Sequence, residues 1–214
     1  MHNEIIENLK TAILEYDVEG AASWAKKAVQ EKMDPSIALD AMTKAIRQVG
    51  DGFSRGIFFL PELVGAAEAM SAATPVIEEE LKRVGAKRKA LGTVAIGAVY
   101  GDIHTIGKTM VATLLTAEGF VVYDLGINVT SETFIEAVDK YNLDILAMSA
   151  LMTTTAPEQR KVISALKDKG IRDKVKIMVG GGAITQEFAD GIGADGYDPT
   201  APGAAKLARK LINK

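Results

Sequence analysis

The first 88 positions carry one rhythm. Ile5, Ile6, Leu9, Ile13 and Leu14 recur at helical spacing, and a second such run fills Val18 to Val29. Asp34 followed by Pro35 reads as an N-cap with proline at the first helical position. The helix they open carries Ile37, Leu39, Met42, Ile46 and Val49, and is expected to stop near Gly50 and Gly52. Pro61 opens a fourth pattern, with Leu63, Val64, Ala67 and Met70 on one face. It runs to about Val84, and Pro75 is expected to kink or interrupt it. Four helices with short connections predict an all-α four-helix bundle over 1–88.

From 89 to 214 the rhythm alternates. Apolar runs at 92–99, 120–125, 143–149, 175–179 and, weakly, 194–197 read as strands. Helical patterns lie between and after them at about 107–118, 131–141, 157–169, 184–191 and 202–212. Such alternation predicts a doubly wound parallel α/β sheet. The charged stretch VGAKRKA (84–90) reads as the linker between the two parts. Ligands of a doubly wound sheet bind outside the carboxyl ends of its strands, and GDIHTIGKT (101–109) falls at one of those ends. No internal repeat or low-complexity tract interrupts the pattern.

Composition narrows the chemistry. The chain has 214 residues, enough for two domains, and 48% of them are hydrophobic. A formal net charge of −3 implies neither a nucleic-acid nor a membrane partner. MHNEIIENLK places charges where a secretory h-region would be apolar, and no apolar run approaches the roughly 20 residues that span a bilayer. A cytoplasmic protein is expected. With no cysteine there is no disulfide, thiolate metal site or cysteine nucleophile.

GDIHTIGKT resembles a P-loop only in its final Gly-Lys-Thr. That motif needs glycine where Asp102 stands, and a carboxylate there would face the phosphates. Gly101 and Gly107 do not make a dinucleotide fingerprint either. His104 as a metal ligand fits better, because Asp102 two residues earlier can hold its second ring nitrogen. The other histidine, His2, sits at the N-terminus, so one His and no Cys cannot build a zinc site. The metal would have to arrive with most of its coordination filled, as in a tetrapyrrole-like cofactor. The plain alternative is a polar residue in a βα loop. Two further stretches weigh against it: SALMTTTAP (149–157), whose hydroxyls taken alone would only cap a helix, and MVGGGAIT (178–185), whose glycines permit close backbone approach.

Together these elements resemble the cobalamin-binding module with the pattern Asp-x-His-x-x-Gly, Ser-x-Leu, Gly-Gly. They are Asp102-Ile103-His104-Thr105-Ile106-Gly107, Ser149-Ala150-Leu151 and Gly180–Gly182, with 41 residues between Gly107 and Ser149. VGDGFSRGIFFLPELVGAAEAM (49–70) resembles the helical cap that precedes this module in methionine synthase and in the small corrinoid proteins of methylamine, methanol, betaine or methoxyarene methyltransferase systems. The resemblance implies a Rossmann-like cobalamin domain over 89–214 behind a cap over 1–88. It implies cobalamin or a related corrinoid as cofactor, with His104 as the lower axial ligand of cobalt.

By the same resemblance Asp102, backed by Thr155, orients His104 and couples its release to proton uptake. Ser149 hydrogen-bonds the buried base, Gly107 allows the turn, and Gly180, Gly181 and Gly182 line the nucleotide tail. Thr105, Ile106 and Leu151 belong to the matched motifs, with Thr153, Gly126 and Tyr197 as weaker tail contacts. Phe59 and Leu60 either shield the upper face of the cofactor or belong to the bundle core, the latter being preferred. The implied function is a methyl carrier. It accepts a methyl group on cobalt(I) from a substrate:corrinoid methyltransferase and yields it to a corrinoid:acceptor methyltransferase, with a reductive activase as a third partner. Such a protein catalyses little alone, and the linker would hinge so that the cap moves aside. A cobalamin sensor, for which 214 residues leave no output domain, the small subunit of a cobalamin-dependent mutase and a vestigial interaction module are the competing readings.

Overall fold

The computed structural model describes residues 2–85 and 90–212, and these fall into two compact units, a helical one and an α/β one that begins at residue 90. Most of the expected linker, residues 86–89, lies outside the described residues.

The helical unit is built from α1 (His2–Leu14), α2 (Val18–Gln30), α3 (Pro35–Ser54) and α4 (Leu60–Arg83). The Asp34 carboxylate accepts the Ser36 N–H at 2.8 Å, so α3 starts as the Asp-Pro pair predicts. It does not stop at Gly50 and Gly52. Both lie inside α3 and are buried. A Cβ on Gly52 would stand 2.2 Å from the Phe58 ring, so this glycine makes room for an aromatic side chain and breaks nothing. Pro75 does not interrupt α4 either. The carbonyl it leaves unbonded belongs to Ser71, which is exposed and open to water. The buried stripe of α4 is Leu63, Ala66, Met70, Ala73 and Ile77, and Val64 and Ala67 sit at its margin. Phe59 is not core: it is 67% exposed at the N-cap of α4, and Leu60 is half-buried.

The α/β unit runs β1 (Thr93–Val99), α5 (Ile106–Glu118), β2 (Val121–Val129), α6 (Ser131–Lys140), β3 (Ile145–Ser149), α7 (Ala156–Asp168), β4 (Lys176–Gly180), α8 (Gln186–Ile192), β5 (Gly196–Tyr197) and α9 (Ala201–Ile212). Its five strands are parallel in the order β2-β1-β3-β4-β5. β1 and β3 are buried almost throughout, as strands covered on both faces must be. Phe134 and Val138 of α6, Val162 and Leu166 of α7 and Ala189 of α8 pack with Val99, Leu146 and Ile177 of the sheet. The step from β1 to β2 runs opposite to the step from β3 to β4. Right-handed crossovers therefore put α5 on the other face. The loops after β1 and β3 part at this reversal, which opens a crevice at the carboxyl edge.

Among the described residues no helix is long and apolar enough to cross a membrane.

Candidate functional site

Asp102 organises the crevice. Its N–H donates to the Val99 carbonyl at 3.0 Å, which folds the chain back as β1 ends. Its side chain is fully buried. Oδ1 accepts the His104 backbone N–H at 3.0 Å and lies 2.9 Å from His104 Nδ1. Oδ2 accepts the Leu151 N–H at 2.8 Å and the Thr155 hydroxyl at 2.7 Å. Burial pushes this carboxyl up. The bonds from Thr155, the His104 and Leu151 backbones and the His104 ring outweigh it and bring the pKa down to about 2. Asp102 is thus ionised at neutral pH and can only accept, so the proton of a neutral His104 sits on Nδ1. The Nε2 lone pair is left on a ring that is 42% exposed.

The chain therefore joins Asp102, His104, Leu151 and Thr155 directly. Thr155 occupies the N-cap position of α7 without capping it, because its hydroxyl turns to Asp102, with the Met152 carbonyl at 3.0 Å as second acceptor. Replacing Thr155 with Val keeps the shape and removes the donor. We expect a loss of about 2 kcal/mol, typical of a hydrogen bond to a charged group, read by urea unfolding of the apo chain.

The other expected residues spread along the same edge. Gly181, at φ +116°, lies so close to the loop after β3 that a Cβ would stand 2.0 Å from the Ala150 carbonyl oxygen, and Gly182 abuts Leu151. Gly180 ends β4 opposite Ser149, which is half-buried. Thr105, Ile106 and Thr153 are exposed. Gly126 lies within β2 at φ +88° beside open space, and Tyr197 lies on β5, two strands beyond β3. Gly107 does not form a turn. It is the second residue of α5, its φ is not positive, and its missing side chain leaves open space.

Gln159, Asn128 and the Lys108–Asp124 ion pair were not anticipated. Gln159 Nε2 donates to the carbonyls of Met148 and Gly180 at 3.1 Å, clamping β3 to β4, while its buried Oε1 has no partner among the described residues. Its place one helical turn after Thr155, on the same face of α7, was the available signal. Asn128 was hidden because β2 runs to Val129, well past the expected end at residue 125, whereas Asp124 lay inside the expected strand with nothing along the chain to pair it with Lys108.

A parallel sheet that presents one oriented imidazole at its switch point is the frame of a B12-binding domain. Residues 92–206 match the B12 binding domain family and residues 5–78 match a second B12 binding domain family, so the chain belongs to the B12-binding family. It is similar to trimethylamine corrinoid protein 1 of Methanosarcina acetivorans, at 43% identity over 98% of this chain and 97% of that one. It is also similar to dimethylamine corrinoid protein 1 of Methanosarcina mazei, at 40% identity over 98% and 96%. Among solved structures it resembles the methanol:cobalamin methyltransferase complex MtaBC of Methanosarcina barkeri, with a TM-score of 0.87 and 33% identity over 98% of this chain and 80% of that one.

The residues fit the group. His104 presents a half-exposed ring whose Nε2 is turned away from the Asp102 carboxylate, a geometry that suits a nitrogen ligand. Tyr100, Ile103, Ile106, Leu151 and Met152 stand exposed in the loops after β1 and β3 and at the start of α5, suited to the apolar face of a macrocycle. Gly180 leaves open space where a side chain would stand, and Gly181 and Gly182 are exposed beside it, so this backbone suits a polar tail.

Proposed function

We propose that this chain is the methyl-carrying corrinoid protein of a methyltransferase system, and that His104 would be the protein's ligand to the corrinoid metal. The observation that carries this reading is the locked His104–Asp102 pair at the end of β1. When bound, the corrinoid supplies a cobalt centre that accepts a methyl group and gives it up. The chain's part is to bind, to orient and to hold one proton at His104 Nδ1. Asp102 keeps the proton on Nδ1 and the lone pair on Nε2, so the ring is ready to ligate.

Ser149 and the Gly180–Gly182 backbone are proposed to hold the nucleotide tail, with Gly126, Thr153 and Tyr197 further along its course. Thr105, Ile106 and Leu151 line the entrance. Two of the named relatives are a trimethylamine and a dimethylamine corrinoid protein and the third is a methanol:cobalamin methyltransferase complex, which supports a corrinoid in the service of a methyltransferase. The partners proposed here are a substrate:corrinoid methyltransferase, a corrinoid:acceptor methyltransferase and a reductive activase.

The test is reconstitution of the full chain, grown with 15N-histidine, with hydroxocobalamin. In the cobalt(II) state an axial nitrogen from the protein splits the electron resonance lines into doublets, whereas the cofactor's own 14N base gives triplets. We expect doublets from the wild type and their complete loss in His104→Ala. A wild-type chain that takes up no corrinoid, or shows only triplets, overturns the reading.

A further inference from the structure

β2 does not end as a plain strand. Its pairing with β1 slips twice, between Ile96 and Gly97 and between Gly97 and Val99. Gly126 and Asn128 both take positive φ, +88° and +52°. Irregularities of this kind re-aim side chains beside functional sites, and here the end of β2 engages the loop that leaves β1. The Asn128 N–H donates to the Asp102 carbonyl at 2.9 Å, and Asn128 Oδ1 accepts the Gly101 N–H at 2.7 Å. Asp102 is gripped twice: through its carboxylate by His104, Leu151 and Thr155, and through its main chain by Asn128.

An ion pair between a buried lysine and an exposed aspartate backs this grip. Lys108, 4% exposed, lies in the first turn of α5, where a cation opposes the helix dipole. Its ammonium is held by both oxygens of Asp124, and Asp124 Oδ1 also accepts the Gly126 N–H at 2.8 Å. The pair ties α5 to the segment that carries Asn128.

We infer that Asn128 is a positioning residue for the axial histidine, acting through the main chain of Gly101 and Asp102. This rests on the corrinoid-carrier reading. The residue type carries the inference further than the contact alone. A left-handed backbone accepts Gly, Asn or Asp, but Gly has no acceptor for the Gly101 N–H.

Two variants separate these roles. Asn128→Gly keeps the left-handed backbone and the N–H to Asp102 while removing Oδ1, and Asn128→Asp keeps an acceptor oxygen. In the full apo chain labelled with 15N-histidine, the ring-nitrogen shifts of His104, assigned against His104→Ala, report how much of the ring is held with its proton on Nδ1. In the cobalamin-loaded chain the doublet amplitude reports how much of it ligates. We expect Asn128→Gly to lower the ratio of held to released ring about fivefold in both measurements, the equivalent of one ordinary hydrogen bond. Asn128→Asp should restore it. Wild-type ratios in Asn128→Gly, or an Asn128→Asp variant that behaves as the glycine variant does, would overturn the inference. If the wild type takes up no corrinoid, the carrier reading fails, while the apo measurement still decides the role of Asn128.

Discussion

Gly181→Ala should destabilise the α/β unit by about 4 kcal/mol and abolish corrinoid uptake. Gly181 has φ +116°, where an L side chain costs about 1–3 kcal/mol by itself. Contact adds more. The new Cβ would stand 2.0 Å from the Ala150 carbonyl oxygen, 2.5 Å from its carbon and 2.8 Å from its nitrogen. These are backbone atoms, so no rotamer change relieves the overlap, and β3 and β4 must part where Ala150 N–H meets the Gly180 carbonyl at 3.0 Å. Gly126→Ala is the control. It has φ +88° but nothing within 4 Å of the new Cβ, so only the backbone term of about 1 kcal/mol applies. Urea unfolding of the full chain by far-UV circular dichroism gives the energies, and hydrogen exchange locates them. Protection should fall in β3 and β4 of Gly181→Ala. Equal losses in the two variants would show that the Ala150 contact does not matter.

Asp102→Asn comes next, with a loss near 3 kcal/mol in the apo chain at pH 6. The carboxylate meets four donors, and an amide has one acceptor oxygen. Its NH2 must therefore face donors from the His104 or the Leu151–Thr155 side. The loss should also depend on pH. The folded pKa, about 2, lies below the unfolded value near 3.9. The stabilisation from ionised Asp102, about 2.6 kcal/mol, is complete above the unfolded value and disappears as pH falls through the folded one. About half of it should be gone by pH 3, so the gap between wild type and Asp102→Asn should narrow by about 1 kcal/mol from pH 6 to pH 3. A gap that stays constant would show that the carboxylate's charge is not what the four donors hold.

Much of this architecture is legible along the chain because it depends on near neighbours. Strand–helix alternation in the second unit is a pattern of burial on two faces, and it located all five strands. The Asp102–His104 pair spans two residues in one loop, so spacing alone suggested it. Thr155 lies 53 residues from Asp102, and the hydroxyl cluster after the third strand offered it as a support for that carboxylate without fixing the contact. The glycines misled where sequence rules are weakest. Gly50 and Gly52 were read as a helix stop and Gly107 as a turn, yet all three are helical, since a missing side chain serves packing or open space as well as conformational freedom.

By itself, then, the sequence determined the two units, the order of strands and helices, and a histidine beside a carboxylate at the end of the first strand, all consequences of local periodicity and spacing. Tertiary structure decided the strand order β2-β1-β3-β4-β5, and with it which loops share the crevice. It also decided the four donors on Asp102, the grip of Asn128 on its main chain and the clamp of Gln159 across β3 and β4. These are hydrogen bonds between residues on separate elements, and the period of a helix or a strand carries no information about which distant backbone it will meet.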